Sequence, residues 1–240
     1  MTREVVLLNG WGMTRAAWQP LLADLPRDWT THAYDLHELS AHRSAGIGDF
    51  AQAAAARAPE CCDVIAWSLG AQIALRWAHD RPGQVGRLAL LAATPCFVGR
   101  ADWPHGMDAA VFDDFATGVR SDAAGALARF ALLQAKGDVD ASAVARTLRA
   151  ALCRDAVALN ALRAGLECLR RTDLRMQVAA VNQATLLFHG ANDGLVPVAA
   201  CEWLRDLLPA GDVQIFSGAA HAPHVSAPEA VAAAIAEFLA

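Results

Sequence analysis

Ser68 stands at the centre of Ala66-Trp67-Ser68-Leu69-Gly70, between an apolar run of strand character and a stretch of helical period. A serine on so sharp a strand-to-helix turn is held in a strained backbone conformation, so the residues two before and two after it must be small. Ala66 and Gly70 meet that need. The turn lifts the hydroxyl to the C-terminal end of a sheet, where open α/β sheets place their ligands. The helix that follows aims unpaired N–H groups and its positive end at the same point. The competing reading, a plain helix N-cap serine, explains the hydroxyl but not the small flanking residues.

A serine hydroxyl is a useful nucleophile only beside a base, and the base needs a carboxylate to orient it. Asp193 lies in His189-Gly190-Ala191-Asn192-Asp193-Gly194-Leu195-Val196-Pro197, directly after a late strand and before a helix opened by Pro197. Asp-Gly also forms ordinary turns, and Asn192 reads as no more than a turn residue. His221, in Gly218-Ala219-Ala220-His221-Ala222-Pro223, follows the last strand, and its small neighbours let the imidazole reach towards Ser68. His224 is its nearby competitor. His189 falls close enough to Asp193 to support it, whereas His32, His37, His42, His79 and His105 lack a motif and read as surface or cap residues. An oxyanion formed at Ser68 needs two donors. The Leu69 N–H supplies one, and Trp11 the other, its flanking Gly10 and Gly12 allowing close backbone approach; the alternative for Gly-Trp-Gly is a tight turn with a buried indole.

The elements that must position these groups follow from periodicity. Strands are expected at Val5–Asn9, Thr30–Tyr34, Val64–Trp67, Arg87–Ala92, Thr185–His189 and Val213–Phe216. Helices are expected at Ala16–Leu25, Ile47–Ala58, Leu69–His79, Ala199–Leu208 and Pro228–Leu239. The alternation implies an α/β fold with a mostly parallel sheet covered on both faces. From Phe97 to about Arg175 the period is helical throughout. The expected organisation is a core of residues 1–96 and 176–240, interrupted by a helical cap at 97–175.

A chain of 240 residues suits one such core, and 55% hydrophobic with 19% charged residues suits a globular protein. A net charge of −5 argues against nucleic acid as a partner. No apolar run reaches the ~18 residues of a membrane span, and the N-terminus lacks the basic region of a signal peptide. Six scattered cysteines without zinc-ligand spacing read as buried, reduced thiols. The expectation is a cytoplasmic monomer with no metal and no organic cofactor.

Ser68, Asp193 and His221, in this order on these elements, resemble the α/β-hydrolase superfamily. A closer resemblance runs through Leu8-Asn9-Gly10-Trp11-Gly12-Met13, Trp67-Ser68-Leu69-Gly70, Thr94-Pro95-Cys96-Phe97, Asp102-Trp103-Pro104, Arg129-Phe130-Ala131-Leu132-Leu133-Gln134, Asp193-Gly194-Leu195-Val196-Pro197 and Ala219-Ala220-His221-Ala222-Pro223. These look like the pimeloyl-[acyl-carrier protein] methyl ester esterases of biotin biosynthesis. The segments between 97 and 175 carry most weight, because such insertions vary freely. The resemblance implies a carboxylesterase with Ser68, Asp193 and His221 as its triad. Trp11, Leu69, Phe130, Ala131, Leu132, Leu133 and Gln134 would line its substrate site. It also implies an acyl carrier protein bearing a pimeloyl methyl ester as partner, received by Arg129, Arg146 and Arg149, with Arg120 and Arg154 as further candidates. Simple packing explains the 130–134 stretch equally well, and arginine-rich composition explains the basic residues.

Several positions depart from the family pattern: Ala66 and Ala71 replace glycines, Asn9 replaces a histidine, and Asp35-Leu36-His37-Glu38-Leu39-Ser40 forms a loop without the usual glycines. They leave room for a general short-chain carboxylesterase or enol-lactonase acting on small-molecule esters. A non-catalytic ligand-binding protein of the same fold is disfavoured by the complete triad.

Overall fold

Val64 to Trp67 is apolar without a break, which suits a strand covered on both faces. In a computed structural model of the protein, described over residues 2–39, 46–155 and 158–240, this run forms the inner part of β3 (Cys62–Trp67), buried at every position. The other strands are β1 (Glu4–Leu8), β2 (Thr30–Tyr34), β4 (Val85–Leu91), β5 (Thr185–Gly190) and β6 (Gly211–Phe216). All pair in parallel, in the order β2-β1-β3-β4-β5-β6. The chain order reverses between β1 and β3, so the loops leaving these two strands diverge and open a crevice at the strand ends. The registers Leu8 with Ala66, Trp67 with Leu91 and Leu91 with Phe188 bring Asn9, Ser68, Ala92 and His189 to one edge of the sheet.

Helices α1 (Gln19–Asp24) and α12 (Pro228–Leu239) pack on each other, as do α3 (Ile47–Arg57) and α4 (Leu69–Asp80). The sequence reading of one helix over Ala16–Leu25 is corrected: Arg15–Trp18 is a 3-10 turn and α1 starts after it. Pro20 has no N–H to give and is accommodated only in a first helical turn. The segment after β2, read as a loop, contains a short helix, α2 (Leu36–Leu39); Ser40 and His42 lie outside the described residues. Cys61 is exposed while the other five cysteines are buried, which corrects the expectation for that one residue.

Between β4 and β5 come α5 (Ala109–Ser121), α6 (Ala123–Ala135), α7 (Ala141–Ala150), α8 (Leu159–Arg171) and α9 (Arg175–Val178). Asp108, Asp122 and Asp140 cap the first three, each accepting backbone N–H groups of the first turn. The ends of this insertion are tied together where the Leu174 N–H donates to the Pro95 carbonyl at 2.9 Å. The remaining helices are α10 (Val198–Leu207), between β5 and β6, and α11 (Pro223–Ser226), before α12.

Candidate active site

Ser68 has φ 57° and ψ −115°, a conformation that costs a non-glycine residue of order 1–3 kcal/mol and persists only where neighbours over-determine it. Its N–H donates to Leu91 on β4, and its carbonyl accepts from Ala71 and Gln72 in α4. The sequence demand for small neighbours has a visible cause. A Cβ on Gly70 would lie 2.1 Å from the Leu8 carbonyl oxygen of β1. The turn therefore presses directly against the neighbouring strand. Leu69 opens α4, so its N–H is among the first-turn donors that have no acceptor inside the helix.

The Ser68 hydroxyl lies 3.0 Å from His221 Nε2, and His221 Nδ1 lies 2.7 Å from Asp193 Oδ2. A carboxylate only accepts, so Nδ1–H donates to Asp193 and leaves Nε2 to accept from Ser68. The other Asp193 oxygen takes the N–H groups of Leu195 at 2.8 Å and Val196 at 3.0 Å. Burial pushes the Asp193 carboxyl up, but the adjoining His221, its hydrogen bond and the other neighbours outweigh this and hold it below the usual carboxylate range. His189, read as a neighbour of Asp193, sits 3.6 Å away and donates from Nε2 to the Val196 carbonyl. Burial pushes this imidazole down, against the pull of Asp193. His221 is also held by its backbone: its N–H donates to the Gln134 carbonyl at 3.1 Å, and its carbonyl accepts from Trp67 Nε1 at 2.8 Å.

His224, the sequence competitor, is fully buried between Trp18 and Trp67, with ring centroids 4.7 and 4.6 Å away. Among the described residues neither ring nitrogen has a partner, and burial, with His221 nearby, pushes its pKa down to about 3. It serves as a neutral aromatic plug. Asn192, read only as a turn residue, donates to the Gly137 and Ser217 carbonyls and so bridges two loops.

Trp11 is buried, and its indole N–H donates to the Leu162 carbonyl of α8 at 2.8 Å. Its ring meets Phe115 and Phe130 edge-on at 5.4 and 5.2 Å, tying the loop after β1 to α5 and α6. Leu69 is buried beside it; a Cβ on Gly165 would approach both side chains. The departure at Asn9 has a local purpose: its amide donates to Asp35 Oδ1 at 2.9 Å, which also takes the Arg15 N–H. The loop carrying Trp11 is thereby fastened to the end of β2. Helix α6 divides the 130–134 stretch. Phe130, Ala131 and Gln134 are buried, while Leu132 is 50% and Leu133 43% exposed. Phe115, Leu162 and Gly165 carry no motif, and the helical period of 97–175 did not single them out.

Arg129, Arg146 and Arg149 are all exposed, as are Arg120 and Arg154. Arg149 and Arg154 border an apolar groove of about 520 Å³ lined by Leu127, Leu152, Leu159 and Leu162. Arg129 instead leans over Gly125 on the α5 side of α6. His32 and His79 pair with Glu4 and Asp80, and His105 packs edge-on against Trp103. Among the described residues, no group of three or more metal-binding side chains converges, and no helix is long and apolar enough to cross a membrane.

Residues 5–234 match the family model described as the alpha/beta hydrolase family. The chain is 36% identical to the pimeloyl-[acyl-carrier protein] methyl ester esterase of Nitrosomonas europaea, covering 94% of this chain and 91% of the relative. It is 38% identical to the protein of that name from Aromatoleum aromaticum, covering 94% of each. Its fold matches a hydrolase from Oleispira antarctica with a TM-score of 0.85 at 16% identity, over 100% of this chain and 91% of the other. The enol-lactonase of Burkholderia xenovorans matches with a TM-score of 0.83 at 15% identity, over 100% and 92%. The chain belongs to the alpha/beta hydrolase family, closely related to the pimeloyl-[acyl-carrier protein] methyl ester esterases.

Proposed function

We propose that the protein hydrolyses the methyl ester of a pimeloyl chain carried on acyl carrier protein, with Ser68, His221 and Asp193 as its triad. Family membership makes it a carboxylic ester hydrolase. The observation that carries the mechanism is the unbroken run of hydrogen bonds from Ser68 through His221 to Asp193. His221 takes the Ser68 proton as the hydroxyl oxygen attacks the ester carbonyl, and Asp193 stabilises the imidazolium that results. The oxyanion is received by the Leu69 and Trp11 N–H groups. Collapse expels methanol, protonated by His221, and leaves an acyl group on Ser68. Water activated by the same histidine then attacks, releasing the acid and restoring the serine.

The choice of substrate rests on the two relatives that share more than a third of their residues with this chain over nearly their whole length. Residues 97–175 act in this reading as a cap over the core of 1–96 and 176–240. The apolar groove beside the Trp11 loop suits an acyl chain, and Arg149 at its rim, with Arg129 and Arg146, suits an acidic carrier. The test compares cleavage of pimeloyl methyl ester on carrier protein with cleavage of a butyrate ester, using Ser68→Ala as control. Preference for the carrier-bound ester, abolished in the variant, is expected. Equal or better turnover of the butyrate ester makes this a general short-chain esterase. Activity retained by Ser68→Ala removes the triad mechanism itself.

A further inference from the structure

The last turn of α6 and the chain between α6 and α7 run along the two loops that carry Asp193 and His221, and four hydrogen bonds hold them there. The His221 N–H donates to the Gln134 carbonyl at 3.1 Å, and the Val139 N–H to the Gly218 carbonyl at 2.9 Å. Asn192 Nδ2 donates to the Gly137 carbonyl at 2.9 Å, and the Ala220 N–H to Asp138 Oδ2 at 3.1 Å. Asp138 is only 8% exposed, and its other oxygen accepts the Asp140 N–H at 3.0 Å. Both oxygens are thus committed to backbone donors. A bond to an ionised acceptor is roughly twice as strong as one between neutral groups.

The segment that Asp138 grips is fixed chiefly through its backbone. The Ala219 carbonyl accepts from the Asn192 N–H at 3.0 Å and the Ala219 N–H donates to the Phe216 carbonyl at 3.2 Å, while the Ala220 N–H is held by Asp138. Gly218-Ala219-Ala220 has almost no side chain to lock by packing, and glycine is the least restricted residue in φ and ψ. Hydrogen bonds must therefore decide where the backbone enters His221. We infer that Asp138 is a positioning residue for His221, acting through the Ala220 N–H, so that the α6–α7 connection is part of the frame of the reaction as well as a cover over it. The inference rests on His221 being the base. Misplacing a reacting group by about 1 Å can cost on the order of 10²-fold in rate, whereas the small ester itself need not touch Asp138.

The experiment measures kcat and KM of Asp138→Ala and Asp138→Asn on p-nitrophenyl butyrate, per site titrated with a fluorophosphonate, alongside Ser68→Ala. The alanine variant is expected to lose about 10- to 100-fold in kcat, with KM within about twofold of the parent and slower fluorophosphonate labelling. The asparagine variant keeps one acceptor oxygen and should recover part of the loss. If the alanine variant does not fold, the asparagine variant carries the test by its own kcat. An unchanged kcat per titrated site, even with a lower melting temperature, overturns the inference, as does a rise in KM alone. An active Ser68→Ala would instead overturn the triad on which it rests; an inactive Ser68→Ala beside unaffected Asp138 variants removes the Asp138 role only.

Discussion

The indole N–H of Trp67 donates to the backbone carbonyl of His221 at 2.8 Å, joining the residue before the elbow serine to the histidine that faces it. The same ring packs under the loop after β1, where a Cβ on Gly10 would come within 3.1 Å of it. One side chain thus joins the strand that ends at Ser68 to two of the loops beside it. Trp67→Phe keeps an aromatic ring but removes the donor together with the five-membered part of the indole, leaving a buried carbonyl without its partner at a cost of about 1–3 kcal/mol, to which the cavity adds. A lower melting temperature and a roughly tenfold lower kcat on a short ester are expected. A parent-like kcat would show that His221 is placed without this bond.

His224 gives the protein an acid-sensitive stability. Its folded pKa of about 3 lies below the ordinary 6.5, so between these values the unfolded chain binds the proton and the folded chain does not. Its contribution is complete above pH 6.5 and is lost as the pH falls, by up to ~1.4 kcal/mol per pH unit. Phenylalanine fills the slot between Trp18 and Trp67 without two unpaired ring nitrogens. The melting temperature of His224→Phe, followed from pH 7.5 to 4.5, should fall less steeply than that of the parent. Parallel curves would assign the acid sensitivity to other groups.

Two glycines predict different failures. A Cβ on Gly70 meets backbone of β1, which cannot yield, so Gly70→Ala should cost at least the ~3 kcal/mol of severe overpacking and give little soluble protein. On Gly165 the added Cβ meets Leu36, Trp11 and Leu69 side chains at 2.7–3.1 Å, which can shift. Gly165→Ala should therefore fold, with esterase activity reduced because Trp11 and Leu69 are displaced. Equal solubility of the two variants would contradict this difference.

Phe130 stands at 5.2 Å from Trp11 and 5.3 Å from Phe115. Phe130→Ala should cost about 3–5 kcal/mol, or roughly 6–20 °C in melting temperature. With octanoate and butyrate esters compared at a temperature where the variant is folded, KM should rise for the longer chain. Equal KM changes for both would make Phe130 a packing residue alone.

The sequence alone placed the sheet, the elbow and the order of its three polar groups. Each depends on local rules: unbroken apolar runs for covered strands, small residues around a strained serine, and turn-rich loops at strand ends. Ala66 and Gly70 were legible because the turn demands them wherever it occurs. Pro20 was present to be read, yet the stronger apolar spacing of Trp18, Leu21 and Leu25 hid the break it imposes.

The small-residue run before His221 favours it over His224 in the sequence, but what surrounds each of these histidines, which follow the same strand, is decided only by the tertiary structure. One faces Ser68 and Asp193; the other is enclosed by two indoles. The same holds for Trp67, Asn192 and Asp138, each of which bonds to a loop residue 25 to 154 positions away. Periodicity reports which face a residue turns inward, but a hydrogen bond between distant loops exists only once the sheet register has brought their backbones together.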